Sequence, residues 1–134
     1  MPSNPSTELL DRVLQSFQLV PGLASACRVV VCDGYTVAAS RSNCKAGRIS
    51  LAAAERYEAF VAAVQARERL CLVLKERLGF GWAVKAALKH VETPFVLVVQ
   101  HDQEFIASFD LKKLLDCMAE HEELKYVGLS SPAA

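Results

Sequence analysis

Helical stripes and short β-branched runs alternate along this chain, and the alternation limits the folds that it can adopt. In four stretches apolar residues recur at intervals of three and four, the spacing of one face of an α-helix. The stripes are Leu10, Val13, Leu14 and Phe17; Tyr57, Phe60, Val61 and Val64; Val84, Ala87, Leu88 and Val91; and Leu111, Leu114, Leu115 and Met118. The candidate N-caps are Ser6 or Thr7, Ser50, and Ser108 or Asp110.

Apolar runs near 28–33, 70–75 and 95–100 predict strands, with a shorter strand at 125–130 and a loop over 36–50. Continuous apolar runs are typical of strands that are covered on both faces. Strands that alternate with helices form right-handed crossovers and a parallel sheet. The sequence therefore predicts an α/β fold, a three-layer sandwich with a mostly parallel sheet, in which the first three strands are neighbours. Residues 1–134 form one domain in this prediction, and Leu111, Leu114 and Met118 are buried against the sheet.

The charge balance and the cysteines restrict the class of protein. Lys and Arg number 15, as do Asp and Glu, so the basic excess that nucleic-acid binding requires is missing. No apolar run approaches the ~20 residues of a membrane span, and the N-terminal residues do not resemble a signal peptide. We therefore expect a cytoplasmic protein, or one on the cytosolic face of a membrane if it belongs to a longer polypeptide. Five cysteines without a C-x-x-C pair predict buried free thiols.

The stretch FVLVVQHDQEF, residues 95–105, ends an apolar run in polar side chains. In open α/β sheets, ligands bind outside the carboxyl ends of the strands. Asp33 and the run Gln100-His101-Asp102 both lie at such ends, and strand periodicity places Gln100 and Asp102 on one face. We expect Asp33 and Asp102 to line one crevice, about 10 Å across, the scale of a nucleotide pocket.

Asp102 and Glu104 carry the hard oxygen ligands that hold Mg²⁺ or Mn²⁺ beside a diphosphate. His101 is a further candidate, as a ligand or as an acid–base group. The alternative interpretation is an acidic loop in which Asp102 caps a turn and His101 only forms a hydrogen bond. Both interpretations are compatible with the spacing.

Gly79-Phe80-Gly81 follows a predicted strand and opens a helix, as a dinucleotide-binding loop does. The third glycine position of that motif is occupied by Val84. The preferred interpretation is that these glycines end the strand and admit the helix.

The segments VVVCDGY and GFGWAVKAALKHVETPFVLVVQHDQEF resemble the family 2 glycosyltransferases of the GT-A fold. Those proteins have a strand that ends in Asp-Asp-Gly-Ser, a glycine-rich entry to a helix, and an apolar strand that ends in Asp-x-Asp. The resemblance runs from about Thr7 to Phe105. It implies a Rossmann-like nucleotide-binding half that is partial or degenerate, since the family's opening strand has no counterpart before Thr7 and the acceptor half would lie beyond Ala134.

The resemblance also implies roles for individual residues. Asp33 matches the acidic residue that contacts the base or ribose, and Asp102 matches the last Asp of Asp-x-Asp, which coordinates Mn²⁺ or Mg²⁺ on the donor diphosphate. Gln100 stands at the first Asp of that motif. The implied function is transfer of a sugar from a nucleotide-diphosphate donor to an acceptor hydroxyl, by an enzyme or a fragment of one. No catalytic residue is assigned, and we expect no turnover from this chain alone.

Two alternatives come from other classes. The first is a non-catalytic nucleotide-binding or protein-interaction domain that retains the fold, because fold does not determine function. The second is a nucleotidyltransferase, which also uses carboxylate-held metal beside a nucleotide.

Overall fold

A computed structural model describes residues 5–39 and 48–130. These residues contain four helices and four short strands: α1 (Thr7–Ser16), β1 (Val30–Cys32), β2 (Thr36–Val37), β3 (Arg48–Ile49), α2 (Leu51–Arg67), β4 (Cys71–Val73), α3 (Phe80–Leu88) and α4 (Leu111–Glu120). None of these helices has both the length and the apolar character that crossing a membrane demands.

The chain groups into two compact units. Met1–Thr7 and Cys27–Val96 form the first unit, and Glu8–Ala26 and Leu97–Ala134 form the second unit. All four strands belong to the first unit. The predicted mixed α/β character is confirmed, and each unit has its own set of packed residues.

The first unit is built on a parallel pair of strands. β1 pairs with β4, with Val31 opposite Leu72. Leu74 N donates a 2.9 Å hydrogen bond to Cys32 O, which extends the ladder beyond the end of β4. The predicted parallel pairing of the strands near 28–33 and 70–75 is therefore confirmed.

Helix α2 lies in the crossover between β1 and β4 and packs on the parallel pair. Ser50 is its N-cap, as predicted, and the Ser50 hydroxyl accepts a backbone N–H of the first turn at 3.2 Å. The predicted stripe is the buried face, with Tyr57, Val61 and Val64 all buried. Tyr57 and Val61 form an apolar cluster with Cys32 of β1. The stripe therefore predicted both the helix and its buried side.

Two short strands replace part of the loop expected over 36–50. β2 and β3 pair in parallel, with Val37 opposite Ile49, and Ala38 N donates to Ile49 O at 2.8 Å. Ile49 is buried against Ala53 and Ala54 of α2. Strands of two residues are shorter than the stretch over which an alternating pattern can be recognised, so the sequence offered no signal for them.

The strands predicted at 95–100 and 125–130 are absent from the described part of the chain. Val96, Leu97 and Val98 are 52%, 39% and 46% exposed, so this apolar run is not covered on two faces. Composition alone suggested a strand, but a strand forms only where its N–H and C=O groups find a partner ladder. The prediction that three parallel strands are neighbours is therefore correct for β1 and β4 and wrong for residues 95–100.

The second unit has an apolar core along α1 and the short 3₁₀ helix Phe17–Leu19 that follows it. The buried members are Val13, Phe17, Val20 and Leu23. Ser16 Oγ donates to Val13 O at 2.6 Å and accepts from Phe105 N at 2.9 Å. The ring of Phe105 also meets Phe17 edge-on, with ring centres 5.8 Å apart. Phe105, which follows the predicted metal ligand Glu104, therefore packs on the C-terminal end of α1 and the 3₁₀ helix.

Helix α4 begins at Leu111, and Asp110 is its N-cap, with Asp110 Oδ1 accepting from Lys113 N at 2.9 Å. Its stripe is only half-buried, which corrects the prediction that Leu111, Leu114 and Met118 are buried against a sheet. Leu111 packs on the core around α1 instead. The reason is that the described residues of the second unit include no strand, so this unit has no sheet face for α4 to cover.

Candidate functional site at the ends of the parallel strands

Asp33 follows β1 directly, and three backbone N–H groups hold its carboxylate. Oδ1 accepts from Gly34 N and from Leu78 N, each at 2.9 Å, and Oδ2 accepts from Gly79 N at 3.0 Å. Leu78 and Gly79 lie in the loop that leads from β4 into α3. Since hydrogen bonds to an ionised group are stronger than neutral ones, Asp33 joins the end of β1 firmly to the start of α3.

The glycines that open α3 behave as the preferred interpretation predicts. Gly79 is the N-cap of α3 and has a φ of 82°, a conformation that glycine adopts without steric cost. A helix N-terminus attracts anions because its first N–H groups are unpaired. Here the carboxylate of Asp33 provides the anion, so a phosphate could not use the N–H groups of Leu78 and Gly79 without displacing it. This geometry opposes a dinucleotide site at Gly79-Phe80-Gly81.

The segment Asp33-Gly34 after β1 makes two further contacts. Tyr57 of α2 donates its hydroxyl to Asp33 O at 2.7 Å. Gly34 lies against the backbone of Glu76, and a Cβ at Gly34 would collide with those main-chain atoms. The Asp-Gly turn was predicted, but residues 33–35 form no assigned turn. The reason for the glycine is this close approach, since Gly34 is not among the glycines with positive φ.

A pocket of about 400 Å³ opens at the carboxyl ends of β1 and β4. Its polar lining includes Asp33 and Lys75, which follow the two strands, and Glu58 and Gln65 of α2. The apolar lining includes Val61, Ala62 and Val73. Both the volume and the position agree with ligand sites in α/β proteins, which occupy the crevice beyond the strand ends.

Tyr35 and Glu58, which both line this pocket, are joined by a short hydrogen bond. Tyr35 Oη donates to Glu58 Oε1 at 2.6 Å. This hydrogen bond raises the pKa of the Tyr35 phenol, so the hydroxyl keeps its proton and remains a donor at neutral pH. The ring of Tyr35 rests edge-on against Tyr57, with ring centres 5.6 Å apart. One oxygen of Glu58 is thereby held in place.

The sequence analysis missed Tyr35, Glu58, Gln65 and Lys75. A partial signal existed, because Glu58 and Gln65 are seven residues apart and share one face of α2, beside the buried stripe. Lys75 also follows a predicted strand, as Asp33 does. Polar residues at helical spacing usually indicate a solvated face, and only the nearby strand ends make this face the wall of a pocket.

Two thiols lie close together on the parallel pair, where Cys32 Sγ is 3.9 Å from Cys71 Sγ. Burial, together with the neighbouring Cys71, raises the pKa of the Cys32 thiol to about 12, and burial also raises the pKa of Cys71. Protonated thiols are poor nucleophiles and poor metal ligands. The expectation of buried thiols holds for Cys32, whereas Cys27 and Cys117 are exposed, and Cys44 lies outside the described residues.

The remaining predicted site residues lie in the second unit. Gln103 N donates to Gln100 O at 3.2 Å, so residues 100–103 form a turn. His101 Nδ1 is 3.9 Å from Asp102 Oδ1. Burial lowers the pKa of His101 while Asp102 opposes that effect, so the imidazole is neutral near pH 7. Glu104 forms an ion pair with Arg12 of α1.

The two carboxylates predicted as metal ligands differ in availability. The side chain of Asp102 is 45% exposed, whereas one oxygen of Glu104, Oε1, is already paired with Arg12. Within the two described stretches, no group of three His, Cys, Asp or Glu side chains converges on a metal position. Mg²⁺ is often held by one or two carboxylates plus substrate phosphates. Asp102 fits the role of a single protein ligand.

The predicted site residues are divided between the two units. Asp33 belongs to the first unit, and Gln100, Asp102 and Glu104 belong to the second. The shared crevice of Asp33 and Asp102 stays a prediction. Comparison of the chain with protein-family models, with curated proteins and with solved structures finds no match. The function is therefore argued from the site itself.

Proposed function

We propose that this chain binds a nucleoside diphosphate and is the donor-binding part of a glycosyltransferase related to family 2. The chain, or a longer protein that contains it, would transfer a sugar from a nucleotide diphosphate to an acceptor hydroxyl. A GT-A-like three-layer arrangement belongs to the same proposal. The mixed α/β chain and its parallel β1–β4 pair support it.

The observation that carries the proposal is the pocket at the carboxyl ends of β1 and β4. Asp33, the residue that the motif VVVCDGY singles out, lies at its edge. In open α/β folds this is the position at which nucleotides bind. The pocket combines an apolar wall with a few polar groups, the usual composition of a site for a planar base and its ribose.

In this proposal Asp33 has a structural role and Asp102 is a metal ligand. Asp33, which lines the pocket, is held in place by Leu78 N and Gly79 N of the loop before α3. Asp102 would provide one carboxylate ligand to Mn²⁺ or Mg²⁺. A bound metal ion would neutralise the charge that develops on the diphosphate leaving group. Deprotonation of the acceptor hydroxyl is assigned to no residue of this chain.

A second candidate is a nucleotide-binding or protein-interaction domain without catalysis. Gln100 stands where the family's Asp-x-Asp has its first carboxylate, and Glu104 is engaged by Arg12. Fewer carboxylates are thus available to a donor diphosphate than in the motif that the chain resembles. This candidate shares the binding step of the first and differs only in turnover.

Filling the pocket tests the binding step. We expect UDP or GDP to bind with an affinity on the order of millimolar, which corresponds to about 4 kcal/mol. Ala62→Trp places an indole in the pocket lining and should abolish binding, whereas Ala63→Trp, also exposed on α2 but outside the lining, should not. Titrations can be followed through amide chemical shifts. If neither nucleotide binds, or if both variants bind as the unmodified chain does, the proposal is wrong.

Metal dependence tests the role of Asp102, and turnover by this chain would favour the first candidate over the second. Mn²⁺ should strengthen binding of the diphosphate, and Asp102→Ala should remove only that increment. Release of free nucleotide from UDP- or GDP-sugars then distinguishes an enzyme from a binding domain. General-base assistance typically contributes about 10²- to 10⁴-fold in rate. We therefore expect no transfer above background from these 134 residues.

A further inference from the structure

The polar side chains that line the strand-end pocket include one acceptor held by a hydrogen bond and one cation. Glu58 is an acceptor-only side chain, and Tyr35 engages its Oε1 at 2.6 Å. Lys75 is a donor-only side chain that lines the same pocket. Among the described residues, Lys75 has no hydrogen bond or ion pair, so its ammonium group is available to a ligand.

Resting on the nucleotide-binding function proposed above, we propose that this pocket selects guanine among the nucleobases. The Glu58 carboxylate accepts the N1–H and the N2 amino group of guanine, and Lys75 donates to guanine O6 or N7. Guanine presents two adjacent donors beside an acceptor, which matches a carboxylate followed by an ammonium group. Lysine contacts to O6 and N7 are a common way in which proteins recognise guanine.

The other bases match this pair less well. Uracil has a single donor, N3–H, between two carbonyl groups, so it can give Glu58 only one hydrogen bond. Adenine and cytosine place a ring nitrogen lone pair beside their amino group, and that lone pair would face a carboxylate oxygen. An acceptor that faces another acceptor in the complex loses the hydrogen bond that it makes to water, and this loss costs binding free energy. The expected order is GDP, then UDP, then ADP and CDP.

The decisive comparison is between GDP and inosine diphosphate, which differs only in lacking the N2 amino group. We expect GDP to bind about tenfold more tightly, the scale of one specific base contact. Glu58→Gln should reduce the GDP-to-inosine preference to about twofold or less. Its amide oxygen can still accept from Tyr35, so the fold is not at risk. Glu55→Gln, on the same helix but outside the pocket lining, should keep the full preference.

A Lys75→Gln variant tests the other half of the contact. GDP and inosine diphosphate both carry O6 and N7, so this change should weaken both by a similar factor and leave their ratio intact. Equal binding of the two nucleotides to the unmodified chain, or a preference for UDP, would overturn guanine selection and leave nucleotide binding standing. Failure of every nucleotide to bind would instead refute the proposed function itself, and the guanine proposal with it.

Discussion

The carboxylate of Asp33 accepts three backbone hydrogen bonds, two of them from residues 78 and 79 in the loop before α3. A carboxylate has about four lone-pair positions, so at most one remains for a ligand. Asp33 therefore acts first as a link between the end of β1 and the loop before α3, and our proposal assigns the ligand contacts to Glu58 and Lys75. The direct base or ribose contact that the resemblance implies for Asp33 stays a prediction.

Replacement of Gly34 tests how closely its backbone packs against that of Glu76. In Gly34→Ala the new Cβ would collide with the backbone of Glu76, which cannot swing aside as a side chain does. Overpacking of this kind costs about 1–3 kcal/mol of unfolding free energy, and we expect the upper half of that range. Equilibrium urea unfolding measures the loss.

Gly81→Ala is the matched control for that experiment. A Cβ at Gly81 meets no atom within 4 Å, and the residue lies inside α3, where alanine is favoured over glycine by up to about 1 kcal/mol. This variant should be neutral or slightly more stable. Equal effects of the two substitutions would contradict the close approach at Gly34.

Burial makes the Cys32 thiol unreactive and determines how its contribution to folding stability changes with pH. Its pKa of about 12 leaves the thiol protonated in mildly alkaline solution, so iodoacetamide should modify the exposed Cys117 well before Cys32. Mass spectrometry of the labelled peptides gives both rates. The folded pKa lies above the ordinary value of 9.0, so this contribution to stability is complete below pH 9 and is lost as the pH rises toward 12. Faster labelling of Cys32 would contradict its burial.

At the scale of elements, helices and strands differ in how well local sequence specifies them. α2 has its predicted cap at Ser50 and its predicted buried face, because both depend on residues within a few positions of each other. The run 95–100 is as apolar as β1 or β4 and forms no ladder in the described part of the chain. A strand depends on a partner that its own residues do not encode.

The sequence left two candidates for the N-cap of α4, Ser108 and Asp110, and the structure assigns that position to Asp110. Asp110→Ala removes an acceptor for Lys113 N and should cost about 1 kcal/mol of unfolding free energy. Ser108→Ala should cost almost nothing, since Ser108 is exposed and is not the N-cap. Urea unfolding, combined with helical circular dichroism, measures both. A larger loss from Ser108→Ala would place the start of α4 elsewhere.

At the scale of the molecule, both units leave large apolar side chains exposed, such as Phe80 and Trp82 in the first and Ile106 and Tyr126 in the second. Scattered exposed apolar residues are normal for proteins of this size. Their number here limits the area that each small core buries. Probes of solvent exposure therefore test this feature of the chain directly.

Trp82, the single tryptophan of the chain, provides such a probe. It is 60% exposed, and Lys85 Nζ lies 4.7 Å from the ring centre. We expect the emission of a water-exposed indole, strongly quenched by acrylamide. Lys85→Gln should reduce quenching by iodide, which the ammonium group attracts, and leave acrylamide quenching unchanged. A blue-shifted emission that grows with protein concentration would instead show that a second copy covers this surface.

What the sequence by itself determined are the features that depend on near neighbours. The four helices and the cap at Ser50 follow from patterns within a few residues. The tertiary structure alone decided which apolar runs became paired strands, what Asp33 binds, and which side chains line the pocket. Asp33 and Gly79 are 46 residues apart, and Tyr35 and Glu58 are 23 apart. Such contacts are selected by the packing of whole elements, because no local periodicity records which distant residue will be the partner.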